Sequence, residues 1–167
     1  MSLFFGFLFF PDLRYMRSRH CRGTLLMEEY RQSVLYVEDN ELNMALMHHI
    51  FKKKLPSVLL LEADTAELGL SIAGQQLPDL IILDIGLPGL NGYEALECLK
   101  LDAKTCHIPV VAISAFAQTS DVERARGKGF AAYITKPLQV TDFINLVKSL
   151  LAGDYASIAV TWEQNDN

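Results

Sequence analysis

Five short apolar runs recur from residue 33 onward, each followed by a stretch with helical spacing, and this alternation restricts the fold more than any other feature of the chain. The runs occupy residues 33–37 (SVLYV), 58–62, 80–84, 110–114 and 132–135, and are too short for helices. After the first, Asn40 can cap a helix in which Leu42, Leu46 and Ile50 recur every four residues. Lys52, Lys53 and Lys54 complement its C-terminus, and Pro56 stops it. Helical segments at 64–76, 93–101, 118–127 and 140–152 complete five βα units. Near-continuous apolar strands such as LLLEA, LIILD and VVAIS are expected to be buried on both faces, which requires a parallel sheet covered by helices on each side. The expected class is doubly wound α/β.

A length of 167 residues suits one domain, and the half-apolar composition is too rich for disorder. A net charge of −5 argues against a surface built to grip nucleic acid. Residues 1–26 carry four arginines against one aspartate, an excess of +3, so residues 27–167 carry −8. Cys21, Cys98 and Cys106 form no C-x-x-C pair, so neither a disulfide framework nor a zinc site is expected, and a cytoplasmic setting follows most simply. The apolar run at 2–10 is nine residues long, too short to span a bilayer, and its arginines follow rather than precede it, unlike a secretory signal. It reads as an anchor or as an upstream extension. The expectation adopted is an extension over 1–26, a domain over 27–152 beginning at Met27, and a tail over 153–167.

In an open parallel sheet the functional crevice lies at the carboxyl ends of the strands. Here those ends carry Glu38 and Asp39 after the first strand, Asp84 on the third, Ser114 on the fourth and Lys136 beyond the fifth. Three carboxylates at one edge repel unless a cation or proton sits among them, and an oxygen-only donor set favours Mg²⁺. Lys136 supplies a positive charge and Ser114 a hydroxyl for phosphoryl oxygens, while Asp84, followed by a turn with Gly86 and Pro88, is the candidate nucleophile. Each residue alone has a plainer reading. Glu38 and Asp39 suit a helix start, Asp84 a turn, Lys136 a surface and Ser114 a strand end. Their joint placement at four strand ends favours a site for phosphoryl capture. His48 and His49, about 100° apart on a helix, cannot share one metal, and Met44 and Met47 are expected as core or surface fill rather than a partner groove.

The run VLYVEDN, the turn LDIGLPGLNGYEAL, the strand PVVAISAFA and the closing YITKPL together resemble the receiver domain of two-component response regulators, over about residues 33 to 151. VEDNELNM and HIPVVAISAFA are most similar to single-domain regulators of the cell-division type and to C-terminal receivers of hybrid sensor kinases. The resemblance implies a flavodoxin-like (βα)5 fold with strand order 2-1-3-4-5. It makes Asp84 the phosphoacceptor, and gives Mg²⁺ the carboxylates of Glu38, Asp39 and Asp84 with the backbone carbonyl of Gly86, Glu38 acting directly or through water. It further implies Ser114 as switch hydroxyl, Tyr133 as switch aromatic, Lys136 as phosphoryl partner and Pro137 as a cis-peptide position. Gly86 and Phe116 would flank the approach of hydrolytic water. Ser at 114 for the commoner Thr, and Leu90-Asn91 for the frequent Met-Asp, remove no chemistry.

The implied donor is a histidine kinase or a histidine phosphotransfer protein, and no turnover of a free substrate is expected. Residues after 151 are too few for a DNA-binding output, so signalling is expected through protein contacts of the fourth helix, fifth strand and fifth helix, around 118–128 and 133–143. Two rival readings are weighed. An aspartate-nucleophile phosphohydrolase using Mg²⁺ has a second Asp two residues after the nucleophile, where this chain has Gly86. A pseudo-receiver kept only for contacts lacks part of the acidic pair, acceptor and lysine, all of which are present here.

Overall fold

Each apolar run forms a strand of one parallel sheet, in a computed structural model that describes residues 16–19, 26–29 and 32–155. In chain order the elements are β1 (Gln32–Val37), α1 (Glu41–Lys54), β2 (Val58–Ala63), α2 (Ala66–Gln76), β3 (Leu80–Asp84), α3 (Gly92–Leu101), β4 (Val110–Ser114), α4 (Thr119–Lys128), β5 (Ala132–Thr135) and α5 (Val140–Leu151). The strands lie in the order β2-β1-β3-β4-β5, all neighbours parallel. This is the flavodoxin-like 2-1-3-4-5 order.

Strand side chains alternate between faces, and both faces are covered. Leu35, Val37, Ile81, Leu83, Val110 and Ala112 pack beneath α2, α3 and α4. Val34, Tyr36, Leu80, Ile82, Val111 and Ile113 pack beneath α1 and α5. The central strands β3 and β4 are buried throughout. β2 corrects the expectation of two-sided burial. Leu59, Leu60 and Leu61 are half-buried and Glu62 exposed, because β2 is an edge strand with a neighbour on one side only.

The apolar stripe of α1 also differs from expectation. Leu42 is 81% exposed and Leu46 48%, whereas Met47, Ile50 and Phe51 are buried against α5, Phe51 meeting Phe143 edge-on. A strict four-residue repeat drifts about 40° per step around an α-helix, so only one end of the Leu42–Leu46–Ile50 row reaches the core. Asn40 caps this helix as expected, its side chain accepting from the N–H groups of Leu42 and Asn43.

A separate antiparallel ribbon pairs Met16–Arg19 with Leu26–Glu29, Met16 opposite Glu29 and Arg19 opposite Leu26. The boundary expected at Met27 falls within its second strand. The apolar run at 2–10, Cys21 and residues 156–167 lie outside the described residues. Among the described residues no helix is long and apolar enough to cross a membrane.

Candidate functional site

Parallel register brings the strand ends level, and alternation decides which side each side chain takes. Tyr36 lies opposite Ile82 in neighbouring β1 and β3, so two residues further along Glu38 and Asp84 emerge together. Asp84 is the last residue of β3 and Glu38 follows β1 directly, its N–H donating to Ala63 O at 3.0 Å. Glu38 and Asp84 are buried, whereas Asp39 is exposed. Lys136 follows β5, where its N–H donates to Ser114 O at 2.8 Å.

Four of the expected residues converge. Glu38, Asp39 and Asp84 each place a carboxylate oxygen within 4.8 Å of the others. Lys136 Nζ donates to Asp84 Oδ2 at 2.6 Å and to Glu38 Oε2 at 2.9 Å. Burial pushes the Glu38 carboxyl up, but hydrogen bonds from Asn43, Lys136 and Tyr36 outweigh it and hold it below the ordinary value. Desolvation works against the charged Lys136, but its bonds to Asp84 and Glu38 prevail and raise it above an ordinary lysine. Both partners therefore favour the ionised pair. An all-oxygen set this compact suits a small hard cation, whose octahedron spans about 4.2 Å between opposite ligands.

The turn after β3 is tied to Asp84. Gly86 N–H donates to Asp84 Oδ1 at 2.8 Å, and Gly86 itself is exposed. Asn91 begins α3 with a reciprocal capping box, accepting from Glu94 N–H while Glu94 accepts from Asn91 N–H. Gly92 lets this helix approach closely, since a Cβ there would meet Asp84 O at 2.6 Å and Ile85 Cα at 2.7 Å.

Ser114 at the end of β4, Tyr133 in β5 and Phe116 on the loop between β4 and α4 form a second group. The Phe116 N–H donates to Ser114 Oγ at 3.0 Å, and the buried Tyr133 hydroxyl donates to Phe116 O at 2.8 Å. Burial is the main reason the Tyr133 phenol lies above the ordinary value. The Phe116 side chain is 63% exposed, directed to solvent rather than packed. The Lys136–Pro137 peptide bond is cis.

Two contributors escaped the sequence reading. Tyr36 is buried and donates to Glu38 Oε2 at 2.7 Å, and Asn43 Nδ2 donates to Glu38 Oε1 at 2.9 Å. Burial foremost, then its bond to Glu38, keeps the Tyr36 phenol far above an ordinary tyrosine. The available signal was spacing: Tyr36 and Glu38 are two apart on one strand and share a face. Cys98 and Cys106 are free thiols on the surface.

The family model for the response regulator receiver domain matches residues 34–148. The polar-differentiation response regulator DivK of Brucella ovis is 42% identical over 120 residues, covering 72% of this chain and 96% of its own length. Among solved structures, the signal receiver domain of a signal transduction histidine kinase from Syntrophus aciditrophicus matches at TM-score 0.66 and 27% identity, over 73% of this chain and 91% of that one. The receiver domain of a sensor histidine kinase from Pseudomonas aeruginosa, solved with a magnesium ion coordinated in its active-site cleft, shares the fold at TM-score 0.66 and 23% identity, over 72% of this chain and 98% of that one. With the strand order, the acidic edge and these matches in agreement, the chain belongs to the receiver domains of response regulators in two-component signalling.

Proposed function

We propose that this domain takes a phosphoryl group from a phosphohistidine onto Asp84 and signals through protein contacts, without turning over a free substrate. The observation that carries this is the ammonium of Lys136 lying 2.6 Å from Asp84 Oδ2 at the rim of an all-carboxylate cluster. Such a centre receives a phosphoryl group's negative oxygens beside the carboxylate that attacks phosphorus. An Asp84 carboxylate oxygen forms the new P–O bond as the P–N bond of the donor breaks, and the departing imidazole nitrogen takes up a proton. Glu38, Asp39, Asp84 and the Gly86 carbonyl would hold Mg²⁺, which would supply charge neutralisation for the transferring oxygens. Lys136 pairs with one phosphoryl oxygen, and the Ser114 hydroxyl donates to another.

Ser114 already accepts from the Phe116 N–H, and Tyr133 holds the Phe116 carbonyl, so turning the Ser114 hydroxyl toward a phosphoryl group alters the loop that leads into α4. This supports Tyr133 as the switch aromatic and the face of α4, β5 and α5 as the output surface. Gly86 and Phe116 flank the approach of hydrolytic water in this reading. The donor is a histidine kinase or histidine phosphotransfer protein, in a cytoplasmic setting.

Incubation with acetyl phosphate and Mg²⁺, followed by intact mass, tests the reading. One stable phosphoryl per chain supports it. Continuous release of phosphate without accumulation indicates a hydrolase, and an unchanged mass indicates a module kept for contacts alone.

A further inference from the structure

Tyr36 stands in the middle of the sheet, 2% exposed, among the side chains beneath α1 and α5. A core position there needs no hydroxyl, and a buried hydroxyl costs free energy unless it is bonded. The Tyr36 hydroxyl spends its bond on one particular acceptor, Oε2 of Glu38, at 2.7 Å.

A carboxylate has about four lone-pair positions. On Glu38, Oε2 accepts from both Tyr36 and Lys136, and Oε1 accepts from Asn43. One position, on Oε1, stays open. Through it Glu38 can accept one cation-bound water or form one monodentate bond, while a bidentate grip is closed. Before any phosphoryl group arrives Lys136 keeps its place on Oε2, and the Tyr36 ring is enclosed by the core, so its donor fills the other position there. Ca²⁺ takes six to eight oxygens and readily uses bidentate carboxylates, whereas Mg²⁺ is octahedral, retains waters and uses carboxylates one oxygen at a time.

We propose that Tyr36, sharing Oε2 with Lys136 while Asn43 occupies the opposite oxygen, is a positioning residue that leaves Glu38 a single lone pair on Oε1 in the unphosphorylated site and thereby biases the acidic cluster toward Mg²⁺ over Ca²⁺. The inference rests on the reading of that cluster as a cation site.

The test is calorimetric titration of the full chain with MgCl₂ and, separately, with CaCl₂, for wild type and Tyr36→Phe. Phe keeps the ring and removes the donor. The expected result is Mg²⁺ affinity weakened about tenfold, the scale typical for loss of a group that orients a metal ligand. Ca²⁺ affinity holds or rises, so the preference for Mg²⁺ narrows. A Mg²⁺-to-Ca²⁺ ratio equal to wild type in a folded Tyr36→Phe overturns the proposal, because a merely structural tyrosine would leave that ratio unmoved. If circular dichroism shows that Tyr36→Phe does not fold, Tyr36→Leu removes the same donor from Oε2 and must narrow the same ratio; failure to do so overturns the proposal. Wild type that binds neither cation removes the cation site itself. Wild type that binds Mg²⁺ and accepts phosphoryl groups, beside a variant with an unchanged ratio, removes only the role of Tyr36.

Discussion

Lys136 and Asp84 meet at 2.6 Å from non-adjacent strands of the sheet, and the same ammonium reaches Glu38 at 2.9 Å. One cation thus joins two buried carboxylates that would otherwise repel. Glu38 and Lys136 both contribute to the pH dependence of the metal-free protein. Glu38 lies below its ordinary value of 4.5, so its contribution to stability is fully present above that pH and is lost as pH falls through the lower folded value. Lys136 lies above its ordinary 10.5, so its contribution is present below that pH and is lost as pH rises through the higher folded value. Urea midpoints for wild type and Glu38→Gln should show a shallower acid limb in the variant. Identical acid limbs would count against the pairing.

Burial along α1 predicts unequal costs for two apolar residues. Met47→Ala should destabilise the fold by about 2–5 kcal/mol, as expected for a filled core site. Leu42→Ala, at 81% exposure, should stay within about 0.5 kcal/mol of wild type. Denaturant unfolding of both variants checks the register of the helix, and a reversed order would contradict it.

The close approach of α3 to the end of β3 makes Gly92 sensitive. Gly92→Ala places a Cβ 2.6 Å from the Asp84 carbonyl oxygen, against backbone that cannot yield as a flexible side chain can. A loss of about 1–3 kcal/mol is expected from unfolding curves. A neutral substitution would show that the helix is not pressed against the end of β3.

The sheet and the residues at its edge were readable because each is tied to a simple pattern. Asp84 terminates a run of apolar residues, Lys136 follows another, and parallel register brings such ends to one side. Features that depend on orientation within an element were not. Leu42 and Leu46 have the composition of a core stripe, but a four-residue repeat leaves the helix face it starts on. Tyr36 passes as an ordinary strand residue, since tyrosine suits a pleated surface, and its bond to Glu38 emerges only with the face it occupies. The hold of Tyr133 on the Phe116 carbonyl depends on a loop conformation that no residue type announces.

In the proposed reading, the lifetime of the phosphorylated form should respond to Gly86 and Phe116, the two positions assigned to the water approach. A side chain fits at Gly86, where a Cβ would meet nothing closer than Asp84 Oδ1 at 3.5 Å. Gly86→Asn and Phe116→Glu each add a polar group able to orient water, and decay should quicken on the order of tenfold, below the ~10²–10⁴ of a full general base. Decay followed by phosphate release at unchanged rates would mean that neither position governs hydrolysis.

The most direct measurement is transfer from a radiolabelled phosphohistidine protein, with Mg²⁺, to wild type and to Asp84→Asn, with circular dichroism confirming that both are folded. Asn keeps the size of the side chain and removes the nucleophilic carboxylate. The account predicts one label per wild-type chain, none on Asp84→Asn, and none on wild type when Mg²⁺ is chelated. Stoichiometric labelling of the folded Asp84→Asn variant would contradict it.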